Sequence, residues 1–213
     1  MDSAFFIVEA MEKRSLFFLL PHLALVCAML LWASSFIALK LAFTAYDPMV
    51  VLFGRMIIAS LCFLPFLPAL LKKCRYEKGD LKLIAFMVFC EPCLYFIFEA
   101  NALLQTTASQ AGMVTATLPL FVAVGAMLIL KERVSLLTFM GFIIAMAGVV
   151  GLSLMGDVTG SAPNPMLGNF LELMAMVCAT GYTLSLKRLS ERYPPFFLTA
   201  LQAFCGTFFF FPA

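Results

Sequence analysis

The sequence predicts an all-α, polytopic transmembrane helical bundle with seven spans present of an expected ten, built from inverted five-helix repeats. Three observations lead to this fold class. Of 213 residues, 63% are hydrophobic and 12% are charged, whereas about 25% are charged in soluble domains. The apolar residues gather into runs as long as a bilayer is thick. The basic residues fall in alternate connections between these runs.

Seven segments are long enough, or nearly so, to cross the hydrocarbon core, which takes about 20 apolar residues in a helix. The first run continues from Leu16 to Phe43, too long for the apolar region of a signal peptide, and it is therefore expected to stay as a span. Met11 is a possible natural start within the cytoplasmic segment 1–18. The predicted spans cover residues 19–43, 48–71, 81–104, 108–130, 136–156, 166–189 and 195–213.

Lysine and arginine mark one side of the membrane. Twelve of the 14 lie before the first span or after the second, fourth and sixth spans. Cytoplasmic loops are enriched in these residues, so we expect a cytoplasmic N-terminus. The two exceptions are Lys40, near the end of the first span, and Arg55, inside the second.

A weak internal repeat appears when the sequence is shifted by 147 residues, which places Lys40 on Lys187 and Pro48 on Pro195. Each unit holds five spans, an odd number, so the second unit must enter the membrane from the opposite side. The predicted organisation is a first repeat at 19–156, a periplasmic linker at 157–165 and the start of a second repeat at 166–213. Two full units would end at about residue 310, so we expect this chain to stop about one hundred residues short.

Ionisable residues inside a bilayer are costly unless paired or hydrated, so each is a functional hypothesis. With the predicted orientation, Arg55, Glu99 and Glu172 fall in the same half of the membrane as Lys40 and could meet. Glu91, Tyr95 and Glu99 recur every four residues along one helix face. The candidate substrate or ion pathway residues are Glu91, Glu99, Arg55, Glu172, Tyr95, Ser109, Gln110 and Pro119.

Two interpretations of these charges stay open. In one, Arg55 or Lys40 attracts an anionic substrate group while a glutamate takes up a proton or a cation. In the other, Arg55 and Glu99 form a structural ion pair that locks two helices together, and Lys40 reaches the membrane interface.

Proline and small residues shape the remaining spans. Pro92 and Pro119 interrupt the third and fourth spans and free backbone carbonyls, which can line a path or simply produce a kink. Ser109 and Gln110, near the second kink, can bind a polar substrate or bridge helices. Gly141, Ala145 and Gly148 form a small-residue ridge typical of helix packing.

Several functions are disfavoured by the residues. A net charge of +2 without a basic patch argues against a nucleic acid partner. No zinc signature, phosphate loop or nucleophile elbow occurs, so we expect no cofactor, no metal and no enzyme activity. Cys90 and Cys93 have C-x-x-C spacing, but they lie in an apolar span without further ligands and are expected to be buried hydrophobes.

Several motifs carry a resemblance to a known family. Residues 32–36 (WASSF) resemble the W-G-S-S-F pattern of the first helix in the EamA family of the drug/metabolite transporter superfamily, and Arg55 occupies the arginine of its second helix. The most specific block runs through the third and fourth helices, at residues 99–103 (EANAL), 108–112 (ASQAG), 119–121 (PLF) and 130–133 (LKER). The resemblance covers the chain from Leu16 onward.

This resemblance implies a multi-pass protein of the bacterial cytoplasmic (inner) membrane that exports small metabolites, amino acids or drugs by alternating access. The site would be lined by the first, third, fourth and sixth helices. Its expected partners are the lipid bilayer and a small-molecule substrate, with a homodimer as one way to complete the cavity. Ala33 replaces the family's usual glycine, and the last three spans are missing. The alternative is a non-transporting membrane scaffold or truncated accessory subunit; an intramembrane enzyme ranks last.

Overall fold

The computed structural model describes residues 2–73, 77 and 79–211, with side chains from residue 19 onward except that of Lys73. Cys74, Arg75 and Lys78 of the predicted inner loop lie outside the described residues, as do Pro212 and Ala213 at the end of the last predicted span. The described α-helices are α1 (Asp2–Ala42), α2 (Pro48–Phe63), α3 (Leu67–Lys73), α4 (Asp80–Val88), α5 (Tyr95–Gln105), α6 (Ala108–Thr115), α7 (Leu118–Leu130), α8 (Leu136–Leu154), α9 (Pro165–Leu189) and α10 (Pro195–Phe209).

The predicted fold class is confirmed. Within the described part of the chain there is no strand, and six helical segments are long and apolar enough to cross a membrane. These segments are Leu19–Ala42, Pro48–Lys72, Asp80–Gln105, Ala108–Leu130, Leu136–Leu154 and Pro165–Leu189. The seventh, α10, is apolar but has only 15 described residues, fewer than the about 20 that a span needs.

Polar residues in the short connections start the helices where the sequence predicts them. Asp47 accepts a hydrogen bond from the backbone N–H of Met49 at the start of α2. Thr107, Ser135 and Asn164 cap α6, α8 and α9 in the same manner. Each cap satisfies a backbone donor that the first turn of a helix leaves free, which fixes the ends of the spans.

Both predicted proline interruptions are present. Around Pro92 the third span changes from α4 to α5 through a six-residue segment, Phe89–Leu94, in which Glu91 adopts an extended backbone (φ −146°, ψ 124°). The carbonyl of Glu91 accepts a hydrogen bond of 3.0 Å from the Gln202 amide of α10. The fourth span breaks between α6 and α7, and Pro119 lies in the first turn of α7.

The described residues up to Ala38 and those from Leu39 onward form two compact units. The first unit consists of most of α1. In the second unit α9 is the central helix, because it packs against α4, α5, α6, α7 and α8. The core around it includes Leu52, Tyr95, Phe96 and Met176.

Helix α9 approaches α5 very closely at Gly168. An added Cβ at this position would lie 2.6 Å from Thr106 Cβ and 2.8 Å from the Thr106 backbone nitrogen. Gly206 has a comparable role in α10, where an added Cβ would lie 2.5 Å from the sulfur of Met56. Only glycine leaves room for these helix contacts.

Helices α2 and α10, which the 147-residue shift superimposes, pack against each other. Ser60 and Thr207 make a hydroxyl–hydroxyl hydrogen bond of 2.8 Å, and they are 147 positions apart. A residue near a two-fold axis contacts its own equivalent, so this contact is consistent with a repeat of this offset. The repeat boundaries themselves stay a prediction.

Ion pairs gather at one end of the helices, which we call the basic end. Arg192 lies 2.8 Å from Asp80 and 3.0 Å from Glu77, and Lys187 lies 2.7 Å from Glu132. The hydrogen bond to Glu77 raises the pKa of the Arg192 guanidinium above its ordinary value. These pairs join the end of α9 to the end of α7 and to the start of α4, where the sequence places three of the predicted basic connections.

Candidate functional site

Arg55 and Glu99, which the sequence suggested could meet, do meet. Arg55 Nη1 lies 3.7 Å from Glu99 Oε2. The guanidinium also stacks over the Phe96 ring, 4.5 Å from its centroid. Tyr95, one turn before Glu99 on α5, donates a hydrogen bond of 2.8 Å to Glu99 Oε1. Helix α2 therefore supplies the cation, and two successive turns of α5 supply the anion and the phenol.

Glu172 of α9 lies beside this pair, close enough to interact electrostatically with Glu99. Its side chain is fully buried, and Oε1 is 2.7 Å from the hydroxyl of Thr115 in α6. The same hydroxyl lies 3.0 Å from the Ala111 carbonyl. Arg55, Tyr95, Glu99, Thr115 and Glu172 together form what we call the buried carboxylate cluster.

The buried carboxylate cluster is incompletely satisfied. Three of its buried polar atoms have no hydrogen-bond partner: Arg55 Nη1, Glu99 Oε2 and Glu172 Oε2. The Arg55–Glu99 separation is longer than a hydrogen bond, and the Arg55 side chain is 34% exposed. Unpartnered polar atoms are costly away from water. A ligand with donor and acceptor groups would satisfy these atoms, and the open side of Arg55 gives it an approach.

Glu91 lies outside this cluster but within its electrostatic influence. It is half-buried in the kinked segment, and both Glu99 and Arg55 interact with it electrostatically. No described residue donates a hydrogen bond to its carboxylate. Its candidate role in the pathway stays a prediction.

Lys40 does not join the buried carboxylate cluster. Its ammonium instead donates hydrogen bonds to the backbone carbonyls of Leu103, Thr106 and Ser161. The last turn of α5 leaves such carbonyls without helical partners, and a cation suits that end of the helix dipole. Lys40 is thus occupied by a structural task at the end of the bundle opposite the basic end.

Gln110 belongs to a second polar group next to Lys40. The hydroxyl of Thr106 contacts the side-chain oxygen of Gln110 and lies 3.0 Å from the side-chain oxygen of Asn169. The side-chain nitrogen of Asn169 donates a hydrogen bond of 3.0 Å to the hydroxyl of Ser153. Asn169 and Thr106 are fully buried. Neither was predicted, although a polar side chain in a buried helix position is the signal that identifies both.

The other predicted residues are placed apart from these groups. Ser109 is exposed, and Pro119 starts α7. An added Cβ at Gly141 or Gly148 would meet no atom within 4 Å. Ala145 and Gly148 instead border a cavity of about 610 Å³. The packing role of this ridge stays a prediction, and the glycines that the structure places in close helix contacts are others.

No group of three or more histidine, cysteine, aspartate or glutamate side chains in the described ranges is arranged to hold a metal ion. Cys90 and Cys93 are free and buried. The side chains of the buried carboxylate cluster can pair charges, form hydrogen bonds and exchange protons.

Comparison with known proteins identifies the family. Residues 19–154 match the model of the EamA-like transporter family. The chain is 26% identical over 199 residues to the uncharacterized transporter YetK of Bacillus subtilis. The aligned region covers 90% of this chain and 58% of YetK. It is 27% identical to YcxC of the same organism over 81% of this chain and 55% of the relative.

An uncharacterized transporter of Archaeoglobus fulgidus is 26% identical over 90% of this chain and 65% of its own length. The chain thus spans less than two thirds of the length of these relatives. No solved structure gives a significant match.

Proposed function

Because the chain belongs to the EamA-like transporter family, whose members are multi-pass membrane transporters rather than enzymes, we propose that it moves small metabolites, amino acids or drugs out of the cell. The proposed route crosses the bacterial cytoplasmic membrane by alternating access. The observation that carries the proposal is the buried carboxylate cluster, in which a partly exposed arginine and two carboxylates leave polar atoms unpartnered within apolar helices.

The proposed roles follow from charge. Arg55 attracts an anionic group of the substrate, such as a carboxylate, because its Nη1 atom has no hydrogen-bond partner. Glu99 offers the opposite charge to an ammonium group, and Glu91 adds to the negative potential beside the kink. A substrate that carries both charges would bridge the 3.7 Å between Arg55 and Glu99 and would satisfy both side chains.

The proposed orientation places the N-terminus and the basic end in the cytoplasm, following the distribution of lysine and arginine. The ion pairs of Arg192 and Lys187 would then close the cytoplasmic side of the helices. Two inverted five-helix repeats, of which residues 166–213 begin the second, complete the proposed architecture. The Ser60–Thr207 contact supports it.

The experiment is export of radiolabelled amino acids and other small metabolites from cells expressing the protein, compared with the Glu99→Gln variant. Glu132→Gln is the matched control, since Glu132 is an exposed carboxylate that pairs with Lys187 at the basic end. We expect Glu99→Gln to lose export at an equal amount of protein in the membrane, while Glu132→Gln retains it.

Unchanged export by Glu99→Gln across a broad panel of substrates would contradict the proposed role of the buried carboxylate cluster. A wild-type protein that is abundant in the membrane and transports none of the panel would favour the scaffold or accessory subunit instead. Cross-linking in the membrane reports in parallel whether a homodimer forms.

A further inference from the structure

Glu172 is the carboxylate of the buried cluster that lacks a cation. Glu99 has both the guanidinium of Arg55 and the phenol of Tyr95. Glu172 is 0% exposed, and no lysine, arginine or histidine in the described part of the chain lies within 4.0 Å of it. Two buried carboxylates thus share one guanidinium, and the second negative charge has no counter-ion.

The helices packed around α9 do not supply the missing positive charge. Helices α6, α7 and α8 contain no ionisable residue. Lys82 is close to the start of α4, and Lys187 is 15 residues along α9, about 22 Å from Glu172. Arg188 follows Lys187 at the same end of α9. The other ionisable residues of these elements are not cations, and of them Tyr95 and Glu99 interact electrostatically with Glu172. On α4, the kinked segment, α5 and α9 they are Asp80, Cys90, Glu91, Cys93, Tyr95, Glu99, Cys178 and Tyr182.

The hydrogen bonds at Glu172 stabilise a negative charge poorly. Oε1 accepts a hydrogen bond of 2.7 Å from the Thr115 hydroxyl. That hydroxyl has a single proton to donate, and it also lies 3.0 Å from the Ala111 carbonyl. Oε2 is buried and has no hydrogen-bond partner in the described part of the chain. An ionised Glu172 would thus be stabilised by one hydroxyl alone, whereas a proton on the carboxyl group removes the buried charge.

We propose that Glu172 is the proton-binding residue of the transporter, which rests on the proposed transport function and makes the coupling ion a proton. The carboxylate takes one proton from water on one side of the membrane and becomes a neutral acid beside Thr115. It returns that proton to water on the other side.

The first test is infrared difference spectroscopy of the purified protein in lipid during a change of pH. A protonated carboxyl group has a C=O stretching band that an ionised one lacks. We expect Glu172→Gln to remove this band and Glu132→Gln to keep it. A band that is the same in wild type and Glu172→Gln would overturn the proposal. If Glu172→Gln does not fold, Glu172→Asp keeps an acid at the site, and an unshifted band in that variant would overturn the proposal equally.

The second test measures flux in proteoliposomes. We expect a pH gradient at equal sodium to accelerate transport by the wild type, and Glu172→Gln to show no such acceleration. Acceleration that persists in Glu172→Gln, or a wild type driven by sodium and not by pH, would overturn the proposal. The two proposals fail separately, since the infrared band reports the proton even if no substrate is transported.

Discussion

The close contact of α9 with α5 at Gly168 gives a prediction with a worked magnitude. In Gly168→Ala the new Cβ would lie 2.6 Å from Thr106 Cβ, 2.8 Å from the Thr106 nitrogen and 3.0 Å from the Ala102 carbonyl oxygen. Two of these three atoms belong to the backbone of α5 and its cap, so they cannot move away by a side-chain rotation.

The clash must therefore be relieved by separating α9 from α5. Carbon atoms pack at about 3.5–4.0 Å, so the helices would have to part by roughly 1 Å at this point. Overpacking of this kind costs about 1–3 kcal/mol. We expect a cost near the upper end of this range, because Thr106 also makes a hydrogen bond to Asn169. Displacing Thr106 would disturb that hydrogen bond as well.

The assay is reversible unfolding in mixed detergent micelles, followed by the loss of helical circular dichroism. Gly148→Ala is the matched control, because its new Cβ meets no atom within 4 Å. We expect this control to stay within about 1 kcal/mol of wild type. If Gly168→Ala is as stable as Gly148→Ala, the close approach of α9 and α5 is wrong.

Three further experiments test the charged contacts. At 3.7 Å the Arg55–Glu99 pair has a Coulomb energy of roughly 4 kcal/mol at an effective dielectric constant near 20. The partial exposure of Arg55 reduces this energy. We therefore expect a double-mutant cycle with Arg55→Gln and Glu99→Gln to give a coupling energy of about 1–2 kcal/mol. Lys40→Met, which removes the donor of three carbonyl hydrogen bonds, should lower the free energy of unfolding by about 1–3 kcal/mol. Arg192→Ala should lower the unfolding midpoint, because the partner Asp80 is 5% exposed and loses its cation.

Each of the three experiments has its own contrary result. A coupling energy of zero between Arg55 and Glu99 would show that the two charges do not interact. Lys82→Met removes an exposed lysine and should be neutral, so equal effects at Lys40 and Lys82 would refute the carbonyl contacts. Lys187→Ala breaks a pair whose members are both exposed, and an effect as large as that of Arg192→Ala would contradict the importance of burial.

The sequence predicted the helices well because their lengths follow from the thickness of a bilayer. The spans, the two proline interruptions and the concentration of basic residues in alternate connections all depend on local composition. The meeting of Arg55 with Glu99 was also predictable, since their depths follow from counting residues along oppositely directed helices.

Contacts that depend on which helix faces meet were not predictable. Backbone carbonyls are invisible in a sequence, so nothing indicated that Lys40 would bind the end of α5. The Gly141–Gly148 ridge has the pattern of a packing face, yet the close contacts occur at Gly168 and Gly206. A small-residue pattern permits close approach but does not specify a partner helix, and the choice is made by the arrangement of the whole bundle.

The most direct test of the central claim, a water-accessible polar path at the buried carboxylate cluster, is thiol labelling at Arg55. In a background without reactive cysteines, Arg55→Cys is compared with Ile58→Cys, which lies on the same helix and is 64% exposed. A cationic reagent that cannot cross lipid should label Arg55→Cys, and substrate should slow the reaction, while Ile58→Cys stays unlabelled. Labelling of Arg55→Cys no faster than that of Ile58→Cys would mean that Arg55 faces lipid, and the proposed path would be contradicted.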